Sequence, residues 1–214
     1  MIMPFQGSAV AESIPLAVAH LQRGGSLGYP TETVYGIGGD VSEASVRAIA
    51  AMKGREPGKP FLLIIADAKM AEDLGLLFNA SARALARACW PGPLTLALPG
   101  GPTLPAMLRG PEGGVAVRHT GHQDLARLVA AFGAPITSTS ANRPGRPPAP
   151  GAEAVLAEFR AEAEEGKLLV LDGGVLGSQP PSTLIDCTGS EPRLVREGAI
   201  SREVLRRLVG RYAP

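Results

Sequence analysis

Cysteine, histidine and aromatic residues are scarce in this chain of 214 residues, and each scarcity excludes a kind of protein. The two cysteines, Cys89 and Cys187, are too far apart for a metal-binding motif and too few for a disulfide framework. The three histidines, His20, His119 and His122, form no ligand pattern either. Aromatic residues make up 4% of the chain and apolar residues 45%, so we expect a full-sized, mostly aliphatic core.

Net charge and long apolar runs are also lacking. The formal net charge is +1 at pH 7, so no global field attracts nucleic acid or a membrane, and any basic site must be a local cluster. No apolar stretch reaches the length of a transmembrane helix, and the opening MIMPFQGSAV lacks the basic and apolar segments of a signal peptide. The sequence therefore predicts a cytoplasmic protein without a membrane partner.

Lysine is rare, whereas glycine and proline are abundant. Lysine occurs only at positions 53, 59, 69 and 167, and the proximity of the first two in one loop region favours a specific, positioned role for Lys53 and Lys59. The 27 glycines and 20 prolines lie mostly beside polar residues, which predicts long, shaped loops.

Short apolar strands alternate irregularly with helices along the chain. Ser13, Ser42, Asp67, Asn79 or Ser81, and Ser201 are predicted helix caps, and Gly133 a predicted stop. The predicted strands are 26–29, 61–66, 94–98, 115–118, 168–171, 182–187 and 193–196, and the predicted helices are 13–23, 43–52, 68–77, 81–89, 121–132, 152–165 and one after 201. This order predicts an α/β (α+β) fold built around a mixed sheet.

The stretch 28–55, GYPTETVYGIGGDVSEASVRAIAAMKGR, organises the chain. A strand end leads into a loop of hydroxyl-bearing residues and glycines, then into a helix that ends at Lys53 and Arg55. Two interpretations stay open on this stretch alone: a site for an anionic, polar ligand, or a plain strand-to-helix connection. It is neither a P-loop nor a dinucleotide-binding motif, because the glycine spacing fits neither.

Hydroxyls, one side-chain amide and cations recur at predicted strand ends, where open α/β sheets bind ligands. Such cations and hydroxyls bind phosphates and carboxylates, although each hydroxyl alone is also typical of a turn and each arginine is also typical of a solvated surface. Without a nucleophile–base pair, the chemistry depends on positioning and charge neutralisation, as in phosphoryl or nucleotidyl transfer. The hydroxyls are Thr31, Thr33, Ser138, Ser140, Ser182 and Thr183, the amide is Asn142, and the cations are Lys53, Arg55, Lys59, Arg118 and Arg196.

The ordered motifs PTETVYG, KGR, WPGPLTL, VAVR, SAN and DGG…STLID…LVREGAI resemble those of the YrdC-like threonylcarbamoyl-AMP synthases. The similarity runs from about residue 13 to 202, and the family's Lys-x-Arg…Ser-x-Asn signature falls on Lys53, Arg55, Ser140 and Asn142. The resemblance implies one domain over 1–214, with a twisted mixed parallel and antiparallel sheet and flanking helices around a basic cavity. It looks like the short, single-domain branch of the family.

The resemblance also implies a reaction, in which L-threonine, bicarbonate and ATP give threonylcarbamoyl-AMP and pyrophosphate. A partner enzyme then moves the threonylcarbamoyl group to the adenosine beside the anticodon of tRNA. Mg²⁺ would accompany ATP by bridging its phosphates. By motif, Lys53 and Arg55 would be catalytic; Lys53, Arg55, Lys59, Ser138, Ser140, Asn142 and Arg196 would bind ATP; and Thr31, Arg118 and Ser182 would bind threonine.

The chain departs from the family pattern at a few positions. Glu56 stands where proline is usual, Pro144 where a serine often occurs, and Ile64 where the longer branch has a histidine near threonine. Two alternatives are weighed: a double-stranded RNA or tRNA binder of the same fold, which the low net charge disfavours, and a related carbamoyl-transfer domain or paralogue. The carbamoyl-transfer domain normally carries zinc-finger-like cysteines, which this chain lacks.

The proline-rich stretch 143–151, RPGRPPAPG, directly follows the SAN motif. Its position predicts a lid that excludes water from the reactive adenylate, with Arg143 and Arg146 closing over the phosphates. The alternative is a surface loop whose arginines are solvated.

Overall fold

The computed structural model describes residues 1–55, 58–177 and 179–209, and within them ten strands form one sheet. Glu56 and Pro57, in the predicted basic loop, lie outside the described residues. The strands are β1 (Ile2–Pro4), β2 (Ser26–Tyr29), β3 (Gly36–Gly38), β4 (Leu62–Ile65), β5 (Leu94–Leu98), β6 (Val115–His119), β7 (Ile136–Ser140), β8 (Leu168–Asp172), β9 (Thr183–Asp186) and β10 (Arg193–Arg196). The helices are α1 (Ala9–Gln22), α2 (Glu43–Lys53), α3 (Ala68–Asp73), α4 (Ala80–Cys89), α5 (Gln123–Phe132), α6 (Ala152–Glu158), α7 (Arg160–Glu164) and α8 (Arg202–Val209).

The sheet is mixed, which confirms the predicted fold class. Its strand order is β1-β8-β2-β3-β7-β4-β6-β5-β9-β10. The pairs β1–β8, β2–β8, β4–β6 and β5–β9 are parallel, and the other neighbours are antiparallel. None of the described helices combines the length and the apolar character that a membrane crossing requires.

Helices cover both faces of the sheet, and β4 shows this most clearly. Leu63 and Ile65 pack in one buried cluster with residues of α2, α4 and α6, whereas Ile64 packs in a second cluster with residues of α1 and α5. Successive side chains of a strand point to opposite faces, so an uninterrupted apolar run is what a strand covered on both sides needs. The prediction of a strand buried on both faces is confirmed.

Most of the predicted helix caps were correct. Ser42, Asp67 and Asn79 each accept a hydrogen bond from the backbone of the first turn of their helix, and Gly133 ends α5 with a φ of 76°. The prediction for α1 was wrong at its start: the helix begins at Ala9, and Ser13 instead donates its hydroxyl to the Pro4 carbonyl at 2.6 Å.

Two short strands, β1 and β3, were not predicted. In β3 the glycines permit close packing rather than a turn: a Cβ on Gly38 would lie 1.5 Å from the carbonyl oxygen of Thr137. The predicted helix 152–165 is two helices, broken at the fully buried Phe159. Burial of that ring against the sheet outweighs the local preference for a continuous helix.

Candidate functional site

A cavity of about 870 Å³ opens over the middle of the sheet. Ser138, Leu62 and Ala116 are register partners on β7, β4 and β6, and these side chains form part of its floor. Alanine and serine leave room above the strands where larger residues would fill the space. The cavity wall contains most of the predicted site residues: Thr31, Arg55, Arg118, Ser138, Ser140, Ser182 and Arg196.

Arg118 is a buried cation at one part of this wall, with 3% of its surface exposed. Its Nη2 lies 2.7 Å from Glu32 Oε1 in an ion pair, and its Nη1 donates to Thr33 Oγ1 at 3.2 Å. The buried Nε has no hydrogen-bond partner among the described residues. A buried guanidinium with unused donors on a cavity wall is suited to bind a carboxylate or phosphate.

Glu32 is the counter-charge that makes the burial of Arg118 tolerable. Its Oε2 accepts from the Thr120 hydroxyl at 2.6 Å, and its Oε1 accepts from the Gly121 amide at 2.7 Å. Burial raises the pKa of Glu32, but Arg118 and these hydrogen bonds outweigh it, so the net pKa is below the ordinary value. Glu32 was missed at the sequence level because its partners lie in a distant segment.

Thr31 and Thr33 build the turn that precedes β3. The Thr31 hydroxyl donates to the Val34 carbonyl at 2.7 Å and accepts from the Thr33 amide at 3.1 Å, and the two threonine hydroxyls lie 3.0 Å apart. Tyr35 ties this turn to the segment after β8, because its hydroxyl donates to Gly174 O at 2.8 Å. The hydroxyl-rich loop is therefore rigid.

Ser182, directly before β9, and Arg196, at the end of β10, lie on the far side of the cavity from β3. Arg196 Nη2 donates to the carbonyl oxygen of Ser182 at 2.8 Å, and the Ser182 hydroxyl lies 2.8 Å from the hydroxyl of Thr95. Thr183, the other predicted hydroxyl here, is fully buried and bonds Ile200 O at 2.7 Å, so its role is structural.

Lys53 and Arg55 meet at Thr139. Lys53 Nζ donates to Thr139 Oγ1 at 3.2 Å and to the carbonyl oxygen of Ser140, while Arg55 Nη1 donates to the same Thr139 oxygen at 2.7 Å. Lys53 is buried, and this burial, with a smaller effect of Arg55, lowers the pKa of its ammonium to about 8. Arg55 lies on the cavity wall, but Lys53 does not.

Two further predicted residues are off the wall of the main cavity. Lys59 lines a second cavity of about 380 Å³, which shares Arg55 with the main one. Asn142 donates to the carbonyl oxygens of Arg143 and Arg146, at 3.1 and 2.6 Å, and so braces the loop that follows it. Ile64 is packed under α1 and α5 and takes no part in the wall.

Arg143 and Arg146 of the loop 143–151 do not line the cavity in this structure, and their closing over bound phosphates stays a prediction. Arg143 donates to the Met52 carbonyl at 2.7 Å and stacks over Phe159, and Arg146 pairs with Glu158 at 2.8 Å. These contacts hold both guanidinium groups against α2, α6 and α7. The prolines of the same loop line the cavity instead: Pro147, Pro148 and Pro150.

A second loop, missed at the sequence level, also borders the cavity. It follows the Asp172-Gly173-Gly174 turn and contributes Leu176, Gly177 and Gln179 to the wall. Its neutral composition carried no chemical signal. Leu176 N donates to the carbonyl oxygen of Pro150 at 2.8 Å, which joins the two loops.

The described part of the cavity wall contains hydroxyls and cations but no carboxylate. The described residues likewise include no cluster of three or more histidine, cysteine or acidic side chains that could hold a metal ion. A metal there would need ligands from a bound phosphate, because hydroxyl and water oxygens alone complete but rarely build a Mg²⁺ site.

A family model and several known proteins match this chain. The family model named Sua5/YciO/YrdC, described as "Telomere recombination", matches residues 19–198. A threonylcarbamoyl-AMP synthase from Chromohalobacter salexigens is 40% identical over 182 residues, covering 85% of this chain and 96% of that protein. Another from Alkalilimnicola ehrlichii is 42% identical over 169 residues, covering 78% and 87%.

Solved structures show the same fold. The structure of P. abyssi Sua5 complexed with L-threonine superposes with a TM-score of 0.91 and 31% identity over the whole chain, and the match spans 62% of that longer protein. E. coli YciO superposes with a TM-score of 0.79 and 24% identity, covering 96% of this chain and 98% of that one. At that identity the likeness to YciO shows the fold alone.

Proposed function

Because the chain belongs to the Sua5/YciO/YrdC family, we propose that it is a threonylcarbamoyl-AMP synthase. It joins L-threonine, bicarbonate and ATP into threonylcarbamoyl-AMP and releases pyrophosphate. The observation that carries the proposal is the single cavity whose wall includes both the unsatisfied, buried Arg118 and the Arg55–Ser140 end of the Lys-x-Arg…Ser-x-Asn signature. One part of the wall suits a carboxylate, and the other suits phosphates.

Threonine binds at the Arg118 part of the cavity. The guanidinium, which has donors without a hydrogen-bond partner, takes the carboxylate, and Ser182 and the Thr31 turn orient the rest of the amino acid. Glu32 keeps Arg118 in place from behind, at 2.7 Å. The neutral amine of threonine forms a C–N bond with the carbon of bicarbonate, a C–O bond of bicarbonate breaks, and water leaves, which gives the carbamate.

ATP binds at the Arg55 part of the cavity, where Ser138, Ser140 and Arg196 complete the wall. The carbamate oxygen attacks the α-phosphorus, a new P–O bond forms, and the bond to the pyrophosphate oxygen breaks. Cations already in position stabilise the growing negative charge of pyrophosphate without a covalent enzyme intermediate. Lys53 and Asn142 do not line the cavity and support this end through hydrogen bonds, Lys53 to Thr139 and Ser140, and Asn142 to the loop that follows it.

Mg²⁺ would accompany ATP as part of the proposal. The described part of the wall, rich in hydroxyls and without a carboxylate, would suit an ion held mainly by phosphate oxygens and water, and Ser138 and Ser140 would be the hydroxyls available to it. The ion supplies further charge neutralisation of the phosphates when bound.

The product feeds a second enzyme of the cytoplasm. Threonylcarbamoyl-AMP is a reactive mixed anhydride, so a partner enzyme must take it up and transfer the group to tRNA. The alternative function, direct binding of double-stranded RNA or tRNA, is less well supported, because net charge +1 offers no broad basic surface.

Pyrophosphate release measured with ATP, threonine and bicarbonate tests the proposal, with product detection by mass spectrometry. Arg118→Ala should lower kcat/KM for threonine about 100-fold, since a buried charge-assisted contact is worth about 3 kcal/mol. Arg127→Ala is the matched control, because Arg127 is an exposed arginine paired with Asp124 on α5. Pyrophosphate release that does not depend on threonine and bicarbonate would overturn the proposal.

A salt titration of RNA affinity distinguishes RNA binding, the alternative function, from the proposed synthase activity. Nucleic-acid binding as the main function requires tight RNA binding at physiological salt that the Arg118→Ala and Arg55→Ala variants weaken. Binding that disappears at that salt leaves the synthase as the function.

A further inference from the structure

The Thr139 hydroxyl is shared by two cations that the site does not otherwise bring together. Arg55 donates to it at 2.7 Å and Lys53 at 3.2 Å. Thr139 is 8% exposed and belongs to the cavity wall, as Arg55 does. Neither the sequence motifs nor the proposed chemistry has yet given this residue a role.

The hydrogen-bonding capacity of a hydroxyl limits where its proton can go once both lone pairs are occupied. A threonine oxygen has two lone pairs and one O–H. Ammonium and guanidinium groups are donors only, so Lys53 and Arg55 occupy both lone pairs and cannot accept the Thr139 proton. No acceptor for that proton exists among the described residues, although Thr139 borders the cavity.

Lys53 reaches the cavity only through its neighbours. Its side chain is buried, it is absent from the wall, and its ammonium is bound to Thr139 Oγ1 and the Ser140 carbonyl. A donor that itself accepts hydrogen bonds from two cations is polarised, and its own O–H becomes a stronger donor.

We propose that Thr139 is a further substrate-binding residue, whose O–H donates to an anionic oxygen of the ligand, with Lys53 as the positioning residue behind it. This inference rests on the proposed function for the identity of that oxygen. In a threonylcarbamoyl-AMP synthase it is a phosphate oxygen of ATP, because Arg55 and Ser140 border Thr139 on the wall.

Calorimetric binding of a non-hydrolysable ATP analogue to Thr139→Val, Thr139→Ser and the wild type tests the role directly. Valine keeps the shape of the side chain and removes the hydroxyl, so analogue affinity should fall about tenfold, the cost of one charge-assisted hydrogen bond. Serine keeps the hydroxyl and should restore most of the affinity. KM for ATP should rise in Thr139→Val while KM for threonine stays within about twofold.

A double-mutant cycle with Lys53→Met tests whether Lys53 acts through Thr139. Lys53→Met should weaken analogue binding in the wild-type background and have a much smaller effect in the Thr139→Val background. Threonine binding and thermal unfolding show whether each variant is folded. If Thr139→Val does not fold, the comparison of Thr139→Ser with Thr139→Ala replaces it.

Three outcomes overturn the inference: wild-type analogue affinity in folded Thr139→Val, no rescue by serine, or equal losses for threonine and ATP. The binding assay needs no turnover, so it also separates the two proposals. Analogue binding that depends on Thr139, in a wild type that releases no pyrophosphate, overturns the proposed reaction and supports the role of Thr139. A wild type that binds no nucleotide overturns the inference.

Discussion

Arg118 combines a buried charge with unused hydrogen-bonding capacity. The geometry of the guanidinium matters as much as the charge, because Glu32 lies 2.7 Å from Nη2 and Thr33 accepts from Nη1, while Nε and Nη2 have no hydrogen-bond partner among the described residues. A lysine at this position would offer one compact ammonium, which cannot satisfy Glu32 and a ligand carboxylate with the same fork geometry.

Arg118→Lys should therefore weaken threonine binding about tenfold or more and leave ATP affinity within about threefold. Isothermal titration of each ligand separately measures both effects. Arg127→Lys, on the exposed face of α5, serves as the matched control. Equal losses for the two ligands would contradict the assignment of Arg118 to threonine.

Helix α5 begins with an unusual cap. The His122 ring accepts a hydrogen bond from the Leu125 amide at 3.3 Å and stacks on Phe5, with ring centroids 6.2 Å apart. Only a neutral imidazole can accept that bond. Burial lowers the pKa of His122 below 6.5, although Asp124 and Glu32 act in the opposite direction.

This cap predicts a loss of stability in mild acid. A folded pKa below the unfolded value means that the contribution of the neutral ring is complete above about pH 6.5 and is lost as the pH falls through the folded pKa. His122→Asn keeps a capping oxygen that does not titrate. Denaturant unfolding at pH 7.5 and 5 should show a larger decrease for the wild type than for His122→Asn.

His122→Ala removes the cap and should lower the free energy of unfolding by about 1 kcal/mol at neutral pH. Parallel stability curves for wild type and His122→Asn between the two pH values would show that the ring does not titrate in this range.

The two loops over the cavity are joined through the bond from Leu176 N to Pro150 O. They should therefore gain protection together when ATP and threonine bind, which hydrogen exchange at the Leu176 amide and proteolysis within 143–151 would measure. Because Arg146 pairs with Glu158 on the exposed surface, Arg146→Ala should change product release by less than about twofold. Protection that is the same with and without ligands, or that rises in one loop only, would contradict a joint lid.

At the scale of the whole molecule, the cavity draws its wall from strands that are far apart in the sheet order. Residues next to β3 and residues of β9 and β10 line the same space. A ligand that contacts both sides binds the folded chain and not the unfolded one, so it stabilises the entire fold.

ATP and threonine at about 100 times their dissociation constants should each raise the unfolding free energy by about 2.7 kcal/mol, seen as an increase in Tm. In Arg118→Ala, the stabilisation by threonine should disappear while that by ATP persists. An increase in Tm on adding threonine that persists in Arg118→Ala would show that threonine does not bind at Arg118.

The sequence by itself determined what depends on neighbours along the chain. Caps such as Ser42 and Asp67 need only a backbone amide three residues away, and the apolar run of β4 needs only its own composition. The ordered motifs likewise identified the family and the fold.

The tertiary structure alone decided what depends on distant partners. Glu32 finds Thr120, Lys53 finds Thr139, and Arg143 finds Met52 over separations of 88, 86 and 91 residues. Burial in the folded chain lowers the pKa of Lys53, and long-range contacts set the counter-charge of Arg118 and the direction of the loop arginines. The local sequence carries no signal of these pairings, because the sheet brings the partners together only after its strands have paired.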